Sequence, residues 1–81
     1  MNWYVYIVKG SDESLYTGIT TDLERRVKEH NDGAGSKSLL GKLPVELVHS
    51  ETFTDRSSAS KRESEIKKLS RENKLQLVTG L

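Results

Sequence analysis

Six consecutive residues near the N-terminus, Trp3-Tyr4-Val5-Tyr6-Ile7-Val8, are all β-branched or aromatic. A half-exposed strand alternates apolar with polar side chains, whereas a strand covered on both faces does not. The run is therefore predicted to be the central strand of a small sheet, with other elements packed above and below it. The rest of an 81-residue chain has to supply that cover. A single core of this size gives only about 3–5 kcal/mol of net stability, so most apolar residues are committed to folding.

Gly10-Ser11-Asp12-Glu13-Ser14 is turn chemistry, and Leu15 to Ile19 reads as a second short strand closing a hairpin. If the connection is symmetric about Asp12, Val8 lies opposite Tyr16 and the even-numbered residues share one face. Tyr6 then sits diagonally across from Tyr16. Gly18 shares that face and leaves a gap that a backbone or a ligand could enter. A helix is predicted to open at Thr21, which has capping-box spacing to Glu24, with Leu23 and Val27 as its apolar stripe and Gly33 as a left-handed stop. Arg26 and His30 lie four apart and share a helical face, so a strand tyrosine beside them would suit an anion.

Residues from Asp32 to Leu43 are rich in Gly and Ser, with Leu39, Leu40 and Leu43 as candidate anchors. They read as a loop with room for one helical turn, and a binding loop and a passive connector fit equally. Pro44 can start a strand but not sit within a sheet, which makes Val45 to Glu51 an edge strand. Thr54 or Asp55 is expected to cap a helix reaching about Leu69. Its stripe of Ala59, Ile66 and Leu69 includes an acid, Glu63, while Glu65 points elsewhere. Ser70 caps a last helix, in which Leu75 and Val78 are expected to pack and Gly80 to end the run. One domain over residues 1–81 is expected.

Several classes of chemistry drop out. The absence of cysteine removes disulfides, thiolate catalysis and Cys-type zinc sites, and fits a reducing compartment. The N-terminal apolar run is too short for a signal peptide or membrane span, so a cytoplasmic location without a membrane partner is expected. A net charge of +1 argues against coating nucleic acid by charge alone. From Asp55 to Lys74 seven Lys or Arg face four acids, a local excess for which a solvated helix surface is the more ordinary reading than a phosphate track. No P-loop, dinucleotide fingerprint, nucleophile elbow or zinc-spaced histidine pair is present.

What remains is a small set of polar residues. A carboxylate on an inward stripe is costly unless paired or bound to a metal. For Glu63 a salt bridge to Arg62, Lys67 or an arginine of the first helix is the ordinary account; the functional one is a divalent ion, since magnesium often takes only one or two protein carboxylates. Arg26 could pair with Glu29 or Glu63, or stabilise charge on a phosphate. Tyr6 and Tyr16 are half-buried strand aromatics by default, and act as bases only if a nearby cation lowers the phenol pKa. His30 is a structural histidine or a proton shuttle. His49 is given no role.

Tyr4-Val5-Tyr6, then Tyr16-Thr17-Gly18, then Asp22-Leu23-Glu24-Arg25-Arg26 resembles the GIY-YIG endonuclease superfamily, most closely its small single-domain members. The helix Ala59-x-x-x-Glu63-x-x-Ile66-Lys67 and the junction Leu69-Ser70-Arg71 extend the likeness over nearly the whole chain. The resemblance implies an α/β (α+β) domain, a three-stranded antiparallel sheet flanked by helices in the order β-β-α-β-α-α. It also implies hydrolysis of DNA phosphodiesters with one magnesium or manganese ion. By position, Tyr6 and Tyr16 would be the motif tyrosines, Tyr16 the better placed to activate water. Arg26 would stabilise phosphate charge, His30 support the site and Glu63 hold the metal; Gly18, Arg25 and Lys37 would contact substrate.

The chain departs from the family pattern in places. Tyr4 replaces a glycine, Ile19 stands where excision-repair relatives carry lysine, and Leu75 stands where many carry asparagine, with Asn73 off register. Expected activity is weak and of low sequence specificity on DNA, branched or damaged DNA included. A second copy of the chain or a targeting protein is a further candidate partner. The rival reading is a binding module for nucleic acid or protein that kept the fold without catalysis.

Overall fold

The computed structural model describes residues 1–79, so the expected stop at Gly80 lies outside the described residues. Three strands, β1 (Trp3–Lys9), β2 (Leu15–Thr20) and β3 (Glu46–Phe53), form one antiparallel sheet in the order β2-β1-β3. Helix α1 (Leu23–Asn31) follows β2, a 3-10 turn (Lys37–Lys42) precedes β3, and α2 (Arg56–Lys67) and α3 (Arg71–Thr79) follow it. The order is β-β-α-β-α-α, as expected.

The central strand is buried on both faces, and its alternation sorts the molecule into two layers of cover. Val5 and Ile7 point to one side, where Ala59 and Ile66 of α2 are fully buried against them and Leu77 and Val78 of α3 pack around the edge. Tyr6 and Val8 point to the other, against Leu39 of the 3-10 turn, Val45, Leu43, and Leu23 and Val27 of α1. The hairpin register pairs Val8 with Tyr16 and Tyr6 with Gly18, so the symmetric closure about Asp12 holds. On the β3 side the register slips at Ile7/Val8.

Local differences from the sequence reading have local causes. Helix α1 is capped by Asp22 rather than by a Thr21/Glu24 box. Asp22 is extended, and its carboxylate accepts the Arg25 N–H at 3.0 Å. Thr20 stabilises that entry, its hydroxyl accepting the Asp22 N–H at 3.1 Å. A carboxylate at a helix N-terminus is held by charge as well as by the bond, and outcompetes a neighbouring hydroxyl. Gly33, at φ +80, makes the left-handed stop. Helix α2 is capped by Asp55, which accepts the Ser58 N–H at 2.8 Å, and ends at Lys67 instead of Leu69.

Two further contacts set the frame. The side chain of Asn31, the last residue of α1, donates to the Val45 carbonyl at 3.0 Å and accepts the Val45 N–H at 2.7 Å. This two-way clamp closes the segment between α1 and β3 into a loop with pinned ends. Across the other layer, Arg62 of α2 grips Glu51 of β3 in a fork, at 2.8 and 3.2 Å, and His49 bonds the same carboxylate at 2.8 Å. The basic excess of the last two helices is partly consumed in such contacts: Arg71 donates to the Glu13 carbonyl, and Arg56 lies over the Trp3 ring.

In α3, Ser70 caps as expected, accepting the Asn73 N–H, but Leu75 is 38% exposed and Leu77 takes the packing position beside Val78. Ile66→Ala is expected to cost about 2–5 kcal/mol, as large-to-small changes in a closed core do, whereas Leu75→Ala stays within about 0.5 kcal/mol. Urea denaturation of the two variants checks the contrast.

Candidate functional site

The hairpin and α1 bring three aromatic rings together on the Tyr6 face of the sheet. Tyr6 and Tyr16 lie with centroids 6.4 Å apart, Tyr6 and His30 5.9 Å, and Tyr16 meets the edge of His30 at 5.5 Å. Tyr6 and His30 are almost completely buried, while Tyr16 is only partly covered. Their closeness follows from two local periods. The strand alternation places residues 6 and 16 on one face, and the helical four-residue spacing stacks His30 behind Arg26.

Two polar groups meet the Tyr6 hydroxyl. His30 Nε2 lies 2.9 Å from Tyr6 Oη, and Arg26 Nε donates to the same oxygen at 3.4 Å. The other end of the imidazole is engaged as well, since the Ser36 N–H donates to His30 Nδ1 at 3.3 Å. Arg26 also reaches Glu29 at 3.2 Å, leaving the guanidinium 30% exposed. Tyr6 and then Glu29 strengthen the positive charge on Arg26.

Burial raises the Tyr6 pKa above its ordinary 10.0; the bond and charge of Arg26 pull it down without overcoming burial, and Tyr16 and Glu63 add to the rise. Arg26 alone does not meet the condition for this phenol to act as a base, a lowered pKa: at neutral pH Tyr6 keeps its proton. Burial, and then the charge of Arg26, lower the His30 pKa below 6.5, with Glu29 opposing. His30 is therefore neutral at neutral pH.

Glu63 comes from the opposite layer. On a helix turning about 100° per residue, Arg62 and Glu63 flank the Ala59/Ile66 stripe on opposite sides. Arg62 is drawn to Glu51 on β3, so Glu63 takes the other flank, and its charge bears on the Tyr6 phenol. Its side chain is 22% exposed and its ion-pair partner is Lys67, one helical turn on at 3.4 Å. Among the described residues no group of three or more His, Asp or Glu side chains could enclose a metal. One carboxylate falls short of the about four ligands of a closed structural zinc site, and is compatible only with an ion that keeps most of its own waters, as magnesium does.

The other candidates fall into place differently. The space at Gly18 is taken by Tyr6, since a Cβ there would lie 2.6 Å from Tyr6 Oη and 2.8 Å from its ring carbon. The gap that Gly18 leaves on this face is thus filled by the Tyr6 phenol. Arg25 is exposed, with a loose 3.9 Å approach to Glu29, and Lys37 is exposed at the start of the 3-10 turn. Neither bonds to the ring cluster among the described residues. The contribution of the Ser36 amide has no sequence signal beyond the Gly/Ser content of the loop, because a backbone donor carries no side-chain signature.

A sequence profile described as the GIY-YIG catalytic domain matches residues 2–76. The chain belongs to the GIY-YIG family. A UPF0213 protein of Haloquadratum walsbyi is 64% identical over 75 residues, covering 93% of this chain and 84% of that protein. The solution NMR structure of a UPF0213 protein from Bacillus halodurans, 47% identical, superposes with a TM-score of 0.63 over 98% of this chain and 84% of the other. A protein of E. faecalis, 43% identical, gives 0.66 over 99% and 85%. The two solved structures share the fold of this GIY-YIG domain. Among the described residues of this GIY-YIG domain no helix is long and apolar enough to cross a membrane.

A depressed histidine pKa makes the unfolded chain the better proton acceptor. Stability is therefore expected to be full at neutral pH and to fall as pH drops through 6.5, the His30 reference value, towards its lower folded value. His30→Gln should flatten the part of this slope that wild type shows beyond its carboxylates. Urea midpoints measured across that pH range for both proteins check it.

Proposed function

We propose that this GIY-YIG domain hydrolyses phosphodiester bonds of DNA, with low sequence specificity and with one magnesium or manganese ion. The observation that carries this reading is the convergence on the Tyr6 hydroxyl. His30 and Arg26 bond to it, and the Tyr16 ring lies beside it. Two phenols, a guanidinium, an imidazole and a lone carboxylate from four elements fit phosphate chemistry better than any purely packing role.

In this reading water attacks phosphorus, one P–O bond breaks, and the leaving oxygen takes up a proton. Arg26 meets the charge that accumulates on the non-bridging oxygens. It is free to do so because its pairing with Glu29 is a partly exposed ion pair, worth about 0–1 kcal/mol, that a phosphate can displace. Guanidinium geometry presents two parallel donors to that phosphate. Tyr16, the more accessible phenol, orients the water. Tyr6, buried and protonated, braces Arg26 and His30 from below. Glu63 would hold the divalent ion, which when bound supplies Lewis-acid charge stabilisation and a more acidic water.

Arg25 and Lys37, both exposed, would make rim contacts to the backbone of the duplex. Such contacts fix position without reading sequence. The reading places the protein in the cytoplasm with DNA as its partner.

Nicking of supercoiled plasmid with magnesium or manganese tests the reading. Arg26→Ala is expected to lower the rate about 10²–10³-fold, the usual cost of removing a donor to developing anionic charge. Glu63→Ala and Tyr16→Phe should also lose cleavage while keeping the wild-type urea midpoint to within about 1 kcal/mol of stability. Equal cleavage by all three folded variants and wild type would assign the activity to a contaminant and leave a binding module.

A further inference from the structure

We infer that the Gly35–Ser36 backbone is a positioning element that fixes His30 as a hydrogen-bond donor to Tyr6 and thereby turns the Tyr6 hydroxyl proton towards substrate or water. The catalytic consequence rests on the phosphodiester reading above; the positioning itself does not.

The argument starts at the far side of the imidazole. A neutral histidine has one nitrogen that donates and one that accepts. The Ser36 N–H can only donate, and it points at Nδ1 from 3.3 Å, so Nδ1 holds the lone pair and Nε2 carries the hydrogen. That hydrogen lies on the 2.9 Å line to Tyr6 Oη. Arg26 Nε, a donor in every state, addresses the same oxygen. Both lone pairs of Tyr6 Oη are then used, and its own proton has no acceptor among the described residues although Tyr6 is only 1% exposed. An unsatisfied buried donor costs about 1–3 kcal/mol, so the site favours a ligand that brings an acceptor: a water oxygen or a non-bridging phosphate oxygen.

The loop is built to keep the amide in place. A Cβ on Gly35 would lie 2.2 Å from His30 Nδ1, 2.9 Å from Cε1 and 3.0 Å from the His30 Cα, so no side chain fits between loop and ring. Ser36 is extended and caps the 3-10 turn, its hydroxyl accepting the Ser38 N–H at 3.3 Å and bonding the Ser38 hydroxyl at 2.8 Å. Leu39, 3% exposed, anchors that turn in the Tyr6 cluster. Other groups facing His30 are Tyr6, Tyr16, and Arg26 and Glu29 of its own helix; of these none is placed at Nδ1 by a hydrogen bond.

Long-range nitrogen–proton NMR of the full chain, without metal or DNA and near neutral pH, reads the His30 tautomer directly. The wild type is expected to show protonated Nε2 and bare Nδ1, with the Ser36 amide shift moving as His30 titrates. Gly35→Ala should push the ring off the amide, mix the tautomers, and lower plasmid nicking on the order of 10–100-fold, the usual loss when an outer hydrogen-bond partner is removed. Ser36→Ala, which keeps the N–H and loses only the hydroxyl, should leave the tautomer unchanged. Should Gly35→Ala not fold, Ser36→Pro, which deletes the donor at a backbone angle proline tolerates, is read in its place. A wild-type His30 protonated on Nδ1, or a folded Gly35→Ala with an unaltered tautomer, would overturn the inference. A wild type that holds the Nε2–H tautomer but never nicks DNA would instead remove the nuclease reading and leave the positioning intact.

Discussion

Burying a strand on both faces normally rules out polar atoms in its side chains, and here the middle of that strand carries a phenol. The Tyr6 hydroxyl is the atom around which the polar architecture is arranged. Buried this deeply it must be bonded, and the fold meets the demand from two sides, with an imidazole and a guanidinium presented by one helix. The requirement to satisfy one oxygen thus fixes where α1 lies, which of its faces points inward, and how the following loop must pass behind His30. Gly18 on the neighbouring strand leaves room for the ring that makes this possible.

The two faces of the sheet divide the labour. The Val5/Ile7 layer is aliphatic, closed by α2 and α3, and held at its edge by the Arg62–Glu51 fork. The Tyr6/Val8 layer mixes apolar anchors with the groups able to act on an anion. Glu63 is the link between them. It belongs to a helix of the Val5/Ile7 layer, where it pairs with Lys67, and its charge adds a little to the rise in the Tyr6 pKa. The Arg62–Glu51 fork that secures α2 against β3 occupies the opposite flank of the same helix.

Much of this was legible in the residues. The uninterrupted run from Trp3 to Val8 announced a central strand, and the symmetric turn about Asp12 set the pairing that juxtaposes Tyr6 and Tyr16. Strict periodicities carry such information because a one-residue slip would turn the whole face over. What escaped depended on competition between neighbours or on backbone atoms. Asp22 rather than Thr21 caps α1 because a charged acceptor outcompetes a neutral one at a helix start. Leu77 rather than Leu75 packs in α3, a short helix whose apolar residues define no single stripe. His49 was left without a role because its partner, Glu51, is seen only once the strand is drawn and Arg62 is brought over it. The direction of the Tyr6 pKa is not legible in the sequence, which lists the nearby cation but does not reveal how completely the phenol is enclosed.

The Asn31 clamp carries a mechanical consequence. Both ends of the segment between α1 and β3 are fixed by backbone-mimicking amide bonds, and its middle is nailed down at Leu39. Beyond that nail, Leu40 projects outward and Gly41 has open space around it. Leu39 thus stands between this tip and the Ser36 amide that holds the imidazole. A substitution at Gly41 therefore meets solvent rather than the Tyr6 cluster, and the turn offers a place to attach a probe without touching the imidazole.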